Sequence, residues 1–368
     1  MPKHSRTEIL GHLLVLALAA GVVGLPLIAG RVLFGHDIVN YLIIAQQTAE
    51  NLRQGLVFPA WGGGFNAGFG SPLLLFFPPL TGVVHAVPLL LGIPVATGVC
   101  LMSLVALLLS GIAVYGWLRS AGAGPAALPA AVIYMVAPYR LVDLYLRSAL
   151  AEHWAFIWPP LILWITGSRR LGAPLKILLT AVTVAALLTT NLPQAALFGI
   201  ALAVWHLVRW RQLPGRLEVV AGAGLGFALT AFMLVPQAMS EALLNLEVCF
   251  GPTATGYRPS DNTLFSAGLG NWNLNTWFSL CLLATFLLAL AAFLALGRDK
   301  RRTTISRGLF AGAAACTLVT LGPFGPIWDA LPELSNLQFP WRITAVLTLL
   351  AAVLASGLEL RRAWLLAL

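Results

Sequence analysis

The chain has 368 residues, of which 59% are hydrophobic and 10% charged, with a mean hydropathy of +0.87. A soluble domain carries about 25% charged residues, so too few charges exist to cover a soluble globular surface of this size. The formal net charge of +9 does not mark a nucleic-acid binder. The basic residues gather in short loops between apolar runs, which is the topological pattern of a membrane protein.

Apolar runs able to cross about 30 Å of hydrocarbon recur from end to end. They are continuous and lack dyad alternation, so they read as helices rather than barrel strands. In chain order, spans are expected near 9–29, 96–118, 125–138, 153–168, 174–190, 193–208, 217–238, 276–297, 308–323 and 342–359. The first follows Lys3 and Arg6 and ends in no clean small-residue cleavage site, so it reads as an uncleaved span.

One further apolar segment, 72–91, is assigned by charge. If it does not cross and the N-terminus is cytoplasmic, 16 of the 22 basic residues fall on the cytoplasmic side. If it crosses, every later loop changes sides and the bias collapses. Pro72, Pro78, Pro79 and Pro88 also break it too often for a straight helix. It is therefore expected to lie on or dip into the outer leaflet. The expectation is one all-α transmembrane bundle over 1–368, with about ten spans and two long outer loops, 30–95 and 239–275.

Four polar clusters sit on the outer side. The first is Gly35-His36-Asp37 with Asn40 and Tyr41, just past the first span. An acid there is placed to act as a base or ligate a cation; the alternative is a solvated loop acid at a helix end. The second runs from Pro138-Tyr139-Arg140 through Asp143, Tyr145, Arg147, Ser148 and Glu152 to His153. Charges at membrane depth are costly and face a cavity or one another. Arg140 and Asp143 have pairing distance in sequence, as do Arg147 and Glu152. Arginine also suits phosphate, because its planar fork donates two bonds at once. The competing reading is a structural ion-pair cluster.

The third cluster is Trp61-Gly-Gly-Gly-Phe65-Asn66-Ala-Gly-Phe-Gly70-Ser71-Pro72, either a ligand-approaching loop with aromatics for a sugar or a tight turn. The fourth, Gln338-Phe339-Pro340-Trp341-Arg342, leads into the last span. A Trp-Arg pair there is ordinarily an interface anchor, though an outer arginine gives weight to phosphate binding. Thr189, Thr190 and Asn191 before Pro193 read as helix capping.

The six histidines have no zinc-type spacing, and neither a nucleophile elbow nor a Walker sequence is present. Cys100, Cys281 and Cys316 sit in apolar runs as packing residues, whereas Cys249 falls in a polar loop as a candidate free thiol.

In order and spacing these residues resemble bacterial multi-span membrane proteins of the 6-pyruvoyl-tetrahydropterin synthase-related type. The likeness rests on Asp37, on Gly70-Ser71-Pro72 and Phe77-Pro78-Pro79-Leu80, on Pro138-Tyr139-Arg140 to Asp143, Arg147 and Ala151-Glu152, on Asn191-Leu192-Pro193, and on Phe339-Pro340-Trp341-Arg342. Those proteins are in turn similar to the GT-C glycosyltransferases. The resemblance implies a GT-C-like fold in the bacterial cytoplasmic (inner) membrane, with membrane-lying helices in the first outer loop. It implies a polyprenyl-phosphate-linked sugar as donor, an unnamed acceptor and the lipid bilayer as partners. Asp37 would be the catalytic base, with His36, Arg140, Asp143, Arg147, Glu152, His153 and Arg342 lining the substrate cavity. A divalent cation stays an alternative cofactor, but no Asp-X-Asp pair accompanies Asp37 to make one obligate. Relatives of this kind usually continue into further spans or an outer soluble domain; here the chain stops at Leu368, so such a domain is expected to be absent. A transporter or flippase of a lipid-linked or anionic substrate, and a non-catalytic membrane subunit or fragment, are the competing readings.

Overall fold

The computed structural model describes residues 6–31, 33–58, 60–240, 258–266, 272–298, 303–331 and 337–367. Most of the expected second outer loop, with Cys249, lies outside the described residues, as do Lys3 and Glu333. Among the described residues the secondary structure is helical, with a single isolated bridge between Gly62 and Ser71.

The chain divides into two compact units. The first comprises Met1–Ala121 and Asp143–Glu241. It opens with α1 (Arg6–Val23) and the single turn α2 (Leu25–Ile28), then α3 (Ile38–Arg53), α4 (Leu73–Phe76), α5 (Pro79–Leu90) and α6 (Val95–Ser120). The second unit comprises Gly122–Val142 and Ala242–Leu368. Its first part holds α7 (Ala127–Val136) and α8 (Pro138–Val142). The first unit resumes with a π-helical turn at Asp143–Arg147, then α9 (Leu150–Ala155), α10 (Trp158–Gly167), α11 (Ala173–Thr190), α12 (Leu192–Val208), α13 (Arg216–Leu229) and α14 (Ala231–Ser240). The rest of the second unit holds α15 (Trp272–Arg298), α16 (Thr304–Leu318), α17 (Gly325–Ala330), α18 (Thr344–Ala355) and α19 (Leu360–Ala367).

Local chemistry explains these boundaries. Helix α3 buries Ile38, Tyr41, Ile44, Ala45, Thr48 and Ala49, a stripe at three- and four-residue spacing. It runs out before Gly55, whose φ of +82° favours glycine. Helix α12 begins with the Asn191 side chain accepting from the Gln194 amide at 2.9 Å and Pro193 in the first turn, so Asn191 is the cap its sequence suggests.

Among the described residues, five helices are long and apolar enough to cross a membrane: Arg6–Val23, Val95–Ser120, Gly124–Arg147, Ala173–Thr190 and Leu274–Gly297. Counting two bent pairs as one span each raises this to seven: Arg216–Leu229 with Ala231–Ser240, bent by 54°, and Thr304–Leu318 with Gly322–Ala330, bent by 78°. Their outward faces are apolar. On α1, Leu10, Leu14, Leu18 and Val22 recur every fourth residue and are 59–70% exposed. Such a stripe fits hydrocarbon, not water. The protein is an all-α membrane protein.

The structure breaks up several expected spans. The run 153–168 is split into α9 and α10 at Phe156–Ile157, just before Pro159 and Pro160. The run 342–359 yields a 3-10 turn at Pro340–Ile343 and only 12 residues of α18. Segment 72–91 is likewise not one straight helix: Phe77 and Pro78 separate α4 from α5. At 1.5 Å per residue, the 12 residues of α5 reach about 18 Å, short of a bilayer.

Candidate functional site

The site is built where the first loop meets the segment after α8. Gly35, His36 and Asp37 lie backbone to backbone against residues 146–148. The Gly35 amide donates to Ser148 Oγ at 3.1 Å, the His36 amide to the Leu146 carbonyl at 3.2 Å, and the Asp37 amide to the Arg147 carbonyl at 2.8 Å. The approach is close enough to demand glycine: a Cβ on Gly35 would sit 2.6 Å from both Arg147 C and Ser148 N. Ser148 meets it from the left-handed region, at φ +55°, and is buried.

This pairing brings Asp37 to Arg147. Arg147 Nη2 lies 3.7 Å from Asp37 Oδ2. The other arm of the same guanidinium, Nη1, donates to Asp143 Oδ1 at 3.0 Å and to Glu152 Oε1 at 2.8 Å. The π-helical turn supplies the Asp143 contact, and such turns are common at functional sites. Glu152 Oε2 accepts from Gln194 Nε2 at 3.1 Å, so the first turn of α12 reaches into the cluster. The three acids differ sharply in access. The side chains of Asp143 and Glu152 are 0% and 1% exposed, but that of Asp37 is 39% exposed. Asp37 stands at the N-cap of α3, yet its carboxylate makes no capping bond there.

Behind this cluster Tyr41 accepts the Ala151 amide at 3.0 Å and packs edge-on to Phe77. Burial pushes its phenol above the ordinary range, so it stays protonated. Thr81 of α5 donates to the Thr190 carbonyl at 3.0 Å, which ties the loop helix to the α11–α12 junction.

The expected residues divide into three groups. Asp37, Asp143, Arg147 and Glu152 come together. His36 is exposed, and His153 Nε2 lies 3.0 Å from the Ser103 carbonyl of α6. Arg140 and Arg342 belong to the second unit. There Arg140 is buried, with its guanidinium 5.9 Å from the Tyr134 ring centre. Arg342 donates to the Leu337 carbonyl at 2.7 Å and lies 5.0 Å from the Phe339 ring centre. Trp341 is no interface anchor; it is buried and stacks on Phe278 at 3.8 Å and on Phe339 at 4.7 Å.

The glycine-rich loop resolves as a self-packed turn. Gly62 pairs with Ser71, and Gly70 lies so near Trp61 that a Cβ would fall 2.5 Å from its Nε1. Gln47 and Asn51 of α3 hold the loop through the Gly64 amide at 2.8 Å and the Trp61 carbonyl at 3.0 Å. Gly62 and Gly70 are required by close packing against the loop's own Phe65 and Trp61 rings.

Sequence reasoning missed Gln194. The available signal was an amide in the first turn of an apolar helix, two residues after Leu192 and directly after Pro193. Among the described residues no group of three or more His, Cys, Asp or Glu side chains could hold a metal ion. Cys100 and Cys281 are buried free thiols, and Cys316 is half-buried.

No family model matches the chain, and neither a curated protein nor a solved structure is similar to it.

Proposed function

We propose that the protein is a membrane glycosyltransferase of GT-C type, transferring a sugar from a polyprenyl-phosphate donor on the outer face of a bacterial cytoplasmic membrane. One observation carries the reading. Of the three carboxylates gathered on Arg147, two are sealed in and one, Asp37, reaches the surface. A solvent-accessible carboxylate backed by a fixed guanidinium is a placed general base, its rotamer set by the ion pair.

In the step proposed, Asp37 takes the proton of an acceptor hydroxyl. The acceptor oxygen forms a bond to the anomeric carbon as the carbon–oxygen bond to the lipid phosphate breaks, and the phosphate leaves with the electron pair. Arg147 is already engaged by carboxylates, so its role is to orient Asp37 rather than to receive phosphate.

The test is an Asp37→Asn variant in proteoliposomes, assayed with radiolabelled polyprenyl-phosphate sugars. Loss of a general base costs about 10²–10⁴-fold in rate, so transfer is expected to fall by at least that lower factor. Transfer at the wild-type rate would remove Asp37 as the base. No transfer by the wild type with any such donor would remove the reaction itself.

A further inference from the structure

A second site lies in the first unit, in the angle between α1–α2 and the start of α6. There a cleft of about 300 Å³ is lined by Leu27, Ile28, Gly30, Ala96, Cys100 and Leu104, with Thr97 and Leu101 completing the wall. Its floor is set by a tight crossing: Leu104 packs directly onto Gly24, where α1 gives way to α2. Leu27 and Cys100 belong to the same buried cluster as Leu33, Ile38, Leu144 and Ala151, which flank the Asp37 site. Leu25, Ile28 and Leu101 are exposed around it.

Both walls are helices of candidate spans or their direct continuation, so the cleft faces bilayer. The cleft opens outward, and beside a membrane the chains available to fill it are those of lipids. One end is polar. Gly30 is followed by Arg31, whose carbonyl accepts from the Cys100 thiol at 4.0 Å. Arg31 is exposed, and among the described residues its side chain has no ion-pair partner. A hydrocarbon slot with an exposed arginine next in the chain to its Gly30 wall matches one chain and the headgroup of an anionic lipid.

We infer that this cleft is a binding site for an anionic phospholipid, one acyl chain seated against Leu27, Ala96 and Leu104 and the phosphate at Arg31. The lipid braces the α1–α2 corner from which the chain runs to Gly35 and Asp37. The inference stands independently of the transfer reaction, because it concerns binding alone.

The experiment uses the purified full chain in nanodiscs of equimolar phosphatidylglycerol and phosphatidylcholine, with retained lipid read by native mass spectrometry. One cation near a headgroup implies about a fivefold preference for phosphatidylglycerol in the wild type. Arg31→Gln is expected to abolish the preference and Arg31→Lys to keep it. Ala96→Trp, which fills the slot, is expected to remove the retained lipid. Circular dichroism and thermal unfolding of each variant check that it folds. Equal retention of the two lipids by the wild type, or a preference that survives Arg31→Gln, would overturn the inference. So would lipid retained by a folded Ala96→Trp variant. If a polyprenyl phosphate displaces the phosphatidylglycerol stoichiometrically, the slot belongs to the donor and the phospholipid assignment is wrong.

Discussion

Gly35 and Arg147 are the two residues on which the candidate site depends most. A methyl group on Gly35 has no room against the Arg147–Ser148 backbone, and backbone cannot yield as a flexible side chain does. Gly35→Ala is expected to part the two segments and destabilise the protein by about 1–3 kcal/mol. The check is a drop in thermal unfolding temperature in detergent, accompanied by loss of any Asp37-dependent activity. Arg147→Met would leave Asp143 and Glu152 buried without the guanidinium both now contact. Removing one side of a buried ion pair costs about 3–5 kcal/mol. Arg147→Met should therefore accumulate poorly, and Arg147→Met combined with Asp143→Asn and Glu152→Gln should recover folded yield. A double-neutral background that shows no recovery would argue against a stabilising role for the pairing. The Arg147–Glu152 pair was legible in the sequence, since five positions separate them across a helix start. The Asp37–Arg147 pair was not. It joins residues 110 positions apart, and depends on the Gly35–Ser148 approach, which no local periodicity encodes.

At the scale of elements, proline and asparagine placement was informative and span length was not. Pro78 and Pro79 do mark the break in 72–91, whereas Pro88 sits inside α5, and Asn191 does cap α12. The run 153–168, in contrast, reads as a continuous apolar stretch, yet it is divided at Phe156–Ile157. Hydropathy averages over a window and is blind to a break of two apolar residues. Loss of the cap can be measured: Asn191→Ala should cost about 1 kcal/mol and loosen Gln194 from Glu152, a change visible as faster amide exchange in the first turn of α12. The topology of α5 is testable in the same way. In a variant lacking the native cysteines, Ile93→Cys lies in the short link between α5 and α6. An impermeant thiol reagent is expected to label it from the outside of intact cells. Labelling only after the cytoplasmic side is opened would mean that 72–91 crosses.

For the whole molecule, charge and length give different counts, and the difference is physical. The length criterion stops at seven spans because α12 has 17 residues, because α9 and α10 are each short, and because α18 has 12. Yet residues 150–167 together rise about 27 Å and α12 about 25 Å at 1.5 Å per residue, close to the hydrocarbon thickness. A broken helix can still cross where neighbouring helices satisfy the freed backbone groups. The basic residues speak for such crossings: Arg169 and Arg170 follow α10, and Arg209 and Arg211 follow α12, while the α11–α12 junction at Asn191 carries none. If both segments cross, a phosphatase reporter that is active only outside the cytoplasm should be active when fused after Gly92 and after Asn191, and silent after Arg170 and after Arg211. Activity after Arg170 would mean that residues 150–167 do not cross. Arg169 and Arg170 would then share the outer side with Asp37, and the charge bias that assigns that loop to the cytoplasm would fail.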